Sequence, residues 1–146
     1  MADAKDVVLQ GWDAYRRHDL DGVLEAYAED AELIVPGAPP ARGRDEIRAT
    51  WKGFLDAFPD DSPTIEKTVR EGDTVVVVFT TTGTNTGPLA MPTGESIPAT
   101  GRRVELSGVS VAEVADDKVV RETFYWDNAS FLTQLGLMPE PTAAAM

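Results

Sequence analysis

The chain has 146 residues, a formal net charge of −12 and no cysteine. Its length suits one domain whose core needs no disulfide or metal staple. The lack of thiols excludes disulfides, cysteine nucleophiles and thiolate-held metals, and the acidic balance without a basic run excludes a nucleic-acid surface.

In chain order, Asp3 to Arg17 is predicted to be a helix, because Val7, Val8, Gly11, Trp12, Ala14 and Tyr15 recur at spacings of three and four. Asp19 reads as the N-cap of a second helix, Leu20 to Tyr27, which ends at Glu29-Asp30. Glu32 to Val35 is a short strand stopped by Pro36, and the Gly- and Pro-rich stretch 37–43 is irregular. Arg44 to Phe58 is a third helix, with Ile47, Trp51, Phe54, Leu55 and Phe58 on its buried face. Thr64 to Arg70, Thr74 to Thr84, Arg102 to Val114 and Lys118 to Trp126 are strands. Asn85 to Gly101 is a long loop carrying Met91, read either as a lid or as a hairpin tip. Asn128 to Leu135 is a closing helix. Residues 1–139 form one domain and 140–146 a loose tail. Helices in one half and a meander in the other indicate α+β, with helices on one face of an antiparallel sheet. No apolar run approaches the ~20 residues of a membrane span. The acidic start of the chain lacks the basic and apolar parts of a signal peptide, so a cytoplasmic protein without membrane contact is expected.

Asp127 stands where the last strand runs into the closing helix. It has two readings: N-cap of that helix, or an acid at the strand exit whose pKa the Phe124 and Trp126 walls raise into a working range. Glu113, among Val111, Ala112 and Val114, lines a pocket or sits at a wet sheet edge. Trp12, Tyr15, Trp51, Phe54, Phe58 and Phe79 are plain core or the wall of a cavity for a flat apolar ligand. The pairs Glu29-Asp30, Asp60-Asp61 and Asp116-Asp117 read as solvated turns. The one histidine, His18, has no paired acid in the sequence, so no metal site is expected.

Three helices followed by a strongly bent sheet resemble the cone-shaped NTF2-like (cystatin-like) fold. His18-Asp19-Leu20-Asp21-Gly22-Val23 with Tyr27-Ala28-Glu29-Asp30-Ala31 resembles the helical start of that superfamily. Three further stretches are similar to the SnoaL-like polyketide cyclase and ester cyclase group: Gly83-Thr84-Asn85-Thr86-Gly87, the run from Pro98 to Val104, and Asp117 to Glu122 with Tyr125-Trp126-Asp127. The resemblance implies a curved antiparallel sheet packed on three N-terminal helices around a conical pocket, and a homodimer formed through the sheet. It also implies a small-molecule enzyme acting without a cofactor on an apolar carbonyl compound. Asp127 would be the acid/base and Glu113 an assisting group. Trp12, Tyr15, Trp51, Phe54, Phe79, Asn85 and Trp126 would contact the substrate, with Tyr15 or Asn85 holding the oxygen that becomes negative. The ketosteroid isomerases of the same fold carry an Asp before a proline after the first strand; here Val35 precedes Pro36, which disfavours their chemistry. A non-catalytic binder of an apolar ligand and a dimerisation module with a filled cone are the rival functions.

Overall fold

The computed structural model describes residues 3–90 and 94–139. Four helices occur among them: α1 (Ala4–Arg16), α2 (Leu20–Glu25), α3 (Gly43–Ala57) and α4 (Asn128–Gln134). The strands are β1 (Tyr27–Ile34), β2 (Ala41–Arg42), β3 (Ser62–Glu71), β4 (Thr74–Thr84), β5 (Leu89–Ala90), β6 (Ser96–Ile97), β7 (Arg103–Ala115) and β8 (Lys118–Trp126). Met91 and the expected tail at 140–146 lie outside the described residues.

Each helix starts where its sequence provides acceptors. Asp3 caps α1 through Lys5 N–H and Asp19 caps α2 through Gly22 N–H. The α3 start has no side-chain cap of this kind; instead Glu46 reaches back to the Arg42 N–H at 3.0 Å.

Six strands form one sheet in the order β2-β1-β8-β7-β4-β3. The meander β3-β4-β7-β8 is antiparallel, but β1 pairs parallel with β8, so the sheet is mixed rather than wholly antiparallel. The same pairing shortens the second helix. Tyr27 starts a strand instead of ending a helix, because its backbone lies opposite Val119 and the Val119 N–H donates to Ala26 O at 2.8 Å. Glu29-Asp30 therefore falls inside β1, at an irregularity between Tyr27 and Glu32. Further bulges leave Glu66 of β3 and Val120 of β8 (opposite Glu113 and Val114 of β7) unpaired, and bulges of this kind add local twist.

The main core lies between α1–α3 and the inner sheet face, where Val75, Val77 and Ala112 are fully buried. A second cluster joins Phe58, Leu89, Leu106, Phe131 and Leu135, and Phe54 and Trp126 pack against both. Gly108 permits a close crossing: a Cβ there would come 2.9 Å from the Phe79 ring and 2.7 Å from Tyr125 O.

The long loop holds the small β5–β6 hairpin, and Asn85 ties it down. Asn85 is 1% exposed; its amide donates to Ala57 O and Gly87 O, and its Oδ1 accepts from the Thr100 N–H and hydroxyl. Asn85→Ala orphans several buried groups at once, each worth about 1–3 kcal/mol. A loss of roughly 3 kcal/mol or more is expected in urea unfolding, with proteolysis inside the loop.

Candidate active site

The helices and the inner sheet face line a partly open cavity of about 110 Å³. Its aromatic wall comes from Trp12 and Tyr15 of α1, Trp51 and Phe54 of α3, Phe79 of β4, and Phe124 and Trp126 of β8. The rings form a connected set. Trp12 lies 5.1 Å from Phe79, Trp51 5.2 Å from Phe124, Tyr15 5.6 Å from Trp51 and Phe54 5.9 Å from Trp126. Strand parity explains the β8 contribution: Glu122, Phe124 and Trp126 share the inner face, while Tyr125 points out and is 60% exposed.

Two carboxylates interrupt this apolar wall. Asp61, at the end of the α3–β3 turn, accepts the Tyr15 hydroxyl at 2.6 Å on one oxygen and the Thr81 hydroxyl on the other. Burial raises its pKa above the usual carboxylate value, and the Thr81 and Tyr15 hydrogen bonds only partly offset that. Its neighbour Asp60 is exposed and moves the other way, held down first by the Thr84 N–H. The solvated-turn reading therefore describes Asp60 and not Asp61, whose side chain turns inward. Tyr15 is pushed well above 10, first by burial and then by the Asp61 charge, so its hydroxyl stays a neutral donor at any ordinary pH.

Glu122 is 5% exposed. One oxygen accepts the Tyr27 hydroxyl and the other the Ser110 hydroxyl at 3.1 Å. The Trp51 indole N–H in turn donates to the Tyr27 oxygen at 3.2 Å. Burial raises the Glu122 pKa from 4.5 to about 7, against the opposing pull of its two hydroxyl donors. Burial also lifts Tyr27 well above 10, followed by the Glu122 charge.

The structure brings Trp12, Tyr15, Trp51, Phe54, Phe79 and Trp126 together around the cavity. It does not bring Asp127, Glu113 or Asn85 to that wall. Asp127 is exposed; it lies one residue past the inward Trp126, where the chain turns, and its Oδ1 accepts the Ser130 N–H at 3.0 Å as the cap of α4. Glu113 is exposed on the outer face, opposite Arg121 of β8. Asn85 is engaged on the loop through both its amide and its Oδ1. Sequence reasoning missed Asp61, Tyr27 and Glu122. One signal for Glu122 was present: it stands two residues before Phe124 and four before Trp126, on the same strand face.

Among the described residues no group of three or more His, Cys, Asp or Glu side chains is placed to hold a metal ion, and no helix is long and apolar enough to cross a membrane.

An α+β cone with an aromatic-walled cavity defines the NTF2-like class. The sequence profile of the SnoaL-like domain matches residues 8–122, and the chain belongs to that family. AclR from Streptomyces galilaeus, a proposed hydroxylase, is 26% identical and superposes with a TM-score of 0.80, over 99% of this chain and 88% of its own. IdmH from Streptomyces antibioticus, a proposed polyketide cyclase, is 28% identical with a TM-score of 0.76, over 92% of this chain and 99% of its own. A SnoaL-like protein from Jannaschia sp. CCS1 is 24% identical with a TM-score of 0.79 and 93% coverage of both chains; at that identity it speaks for the fold. No curated protein matches by sequence.

The raised Glu122 pKa has a consequence for stability. Between 4.5 and about 7 the folded chain holds a proton that the unfolded chain has lost. The contribution is therefore complete below 4.5 and is lost as pH rises through about 7. A shift of that size corresponds to roughly 3 kcal/mol. Chemical denaturation between pH 4.5 and 8 is expected to show wild type losing stability relative to Glu122→Gln; parallel profiles would mean that Glu122 titrates normally.

Proposed function

We propose that the chain is a small-molecule enzyme of the SnoaL-like cyclase kind, acting on an apolar carbonyl compound by proton transfer between side chains and substrate, with no cofactor. The observation that carries the proposal is Asp61. It is a carboxylate in an apolar cavity wall, of raised basicity, with a tyrosine donor beside it. Asp61 is chosen over Glu122 because it is only partly buried and so can exchange protons with solvent, whereas Glu122 is sealed.

The chemistry follows from these two groups. The Asp61 carboxylate removes a proton from the carbon next to a substrate carbonyl. The C–H electron pair becomes the C=C of an enolate, and the negative charge moves to oxygen. As Asp61 takes up the proton its hold on the Tyr15 hydroxyl weakens, and that hydroxyl turns to donate to the oxygen that becomes negative. The enolate carbon then attacks a second carbonyl of the same molecule, closing a ring. Asp61 returns its proton to the new alkoxide, so the cycle balances without an outside reagent. The aromatic wall holds the substrate's apolar body through Trp12, Trp51, Phe54, Phe79 and Trp126 and keeps water from competing. The polyketide-cyclase description carried by IdmH supports the ring closure.

Asp61→Asn keeps the shape of the site and one of its two accepted hydrogen bonds but removes the base. It is expected to lower kcat by about 100-fold or more, while Asp127→Asn, which preserves the α4 cap, leaves turnover near wild type. In wild type kcat/KM rises with pH through a carboxyl ionisation above the usual aspartate value, then levels. Loss of turnover in Asp127→Asn with retention in Asp61→Asn would reverse the assignment. Ligand affinity without turnover in any carbonyl screen would favour the non-catalytic binder.

The outer face of the sheet suits a second copy of the chain, and a homodimer formed there belongs to the proposal. Val69 and Tyr125 are exposed on it, with Val76, Val78, Val109 and Val111 half-buried between them. Such contiguous apolar surface usually marks an interface. Tyr125→Asp is expected to halve the mass seen by light scattering; an unchanged mass would place the contact elsewhere.

A further inference from the structure

The inner chamber is small for a cyclisation substrate. A closed cavity of ~150 Å³ takes a benzene molecule, so 110 Å³ is filled by a single ring, part of which lies in the opening. Ligand pockets commonly enclose ~300–1,000 Å³.

A second space of about 430 Å³ lies against the first. It is bounded by the turn from Val35 to Ala41, by Glu46, Ala49, Thr50 and Gly53 of α3, and by Leu89 and Leu132. Phe54, Trp126 and Phe131 line both spaces, so a single layer of side chains separates them. Phe54 and Trp126 meet edge to face at 5.9 Å, and each is only half-buried. The Trp126 indole N–H is held by one long hydrogen bond, 3.3 Å to the Asn128 side-chain oxygen. Phe131 is buried and packed on Phe58, so it stays in place; the Phe54–Trp126 pair beside it, with its one weak tether, opens by rotation of two side chains, without movement of the backbone.

The geometry points to a two-chamber ligand site. The reacting ring lies inside, against Asp61 and Tyr15, and the remainder of an elongated apolar compound crosses between Phe54 and Trp126 into the outer groove. This rests on the inner cavity being the ligand site, as proposed above. Together the two spaces reach the volume expected of a small-molecule pocket, which the inner chamber alone does not. The groove also defines the distal end of the ligand. Prolines 36, 39 and 40 with Ala49 and Leu132 give apolar walls, while Glu46 and Asn128 put acceptors at the rim. A neutral end carrying a hydroxyl or amide donor fits there, and a carboxylate end is repelled by Glu46.

Gly53 provides a clean test, because nothing lies within 4 Å of the position its Cβ would take, and it lines the groove without lining the inner chamber. Acetophenone and its two-ring analogue 4-acetylbiphenyl are the probes, with affinity measured by calorimetry on the full-length protein. The second ring buries further apolar area, so wild type is expected to bind 4-acetylbiphenyl about tenfold or more tightly than acetophenone. Gly53→Phe is expected to erase that advantage while leaving acetophenone within about twofold, since the two chambers then act independently. Ala49→Phe gives the same pattern if Gly53→Phe does not fold. Equal affinity for the two ketones, or a Gly53→Phe effect on both alike, overturns the two-chamber site and leaves the inner-cavity proposal standing. Binding of neither ketone overturns both.

Discussion

Glu122 stands where four elements meet. It comes from β8 and accepts hydroxyls from Tyr27 of β1 and Ser110 of β7, and Trp51 of α3 completes the chain through the Tyr27 oxygen. Burying a carboxylate is costly unless every acceptor site is met, and an orphaned polar group in a low-dielectric interior is the expensive outcome. Here both oxygens are occupied, so the network fixes how α3 sits on the sheet and which way the Trp51 ring turns. The Trp51 ring in turn contacts Tyr15, Phe54 and Phe124. The shape of the cavity thus depends on a polar contact in its wall as much as on the apolar residues around it.

Asp61 uses the same device with a different result. It too is a carboxylate held by a tyrosine and a small hydroxyl, but it keeps contact with solvent at the edge of the chamber. A sealed acid that shifts its pKa is a structural element. A partly open one can take up and release protons during a reaction. Under the proposed function the two carboxylates would divide these roles between them, and the aromatic wall joins them. The outer groove continues that wall past Phe54 and Trp126, and the valine-rich outer face of the sheet lies on the opposite side of β8 from both.

Much of the fold was legible in the sequence because its patterns are local. Thr74–Thr84 and Lys118–Trp126 coincide with their predicted bounds, since alternation and turn residues mark both ends. The wall residues Trp12, Tyr15, Trp51 and Phe54 were legible from helical spacing. The illegible parts depend on partners far along the chain. Tyr27 reads as a helix end until Val119 pairs with it. Nothing beside Glu122 in the sequence marks it out as buried, and its tyrosine partner is 95 positions away. Asp61 sits in an Asp-Asp pair that resembles a turn, and its partners Tyr15 and Thr81 are 46 and 20 positions away. Asp127 drew attention because it follows three aromatics, yet its nearest available donor, Ser130 N–H, claims it as a cap.

The central claim is that Asp61, and not Asp127, is the carboxyl that meets the ligand. Carbon-detected NMR of the aspartate side-chain carboxyls, titrated with acetophenone at fixed pH, tests it directly. The Asp61 resonance is expected to move with ligand and to titrate above the usual aspartate value, while Asp60 and Asp127 stay in place as ketone is added. A ligand-dependent shift at Asp127 with none at Asp61 would contradict it.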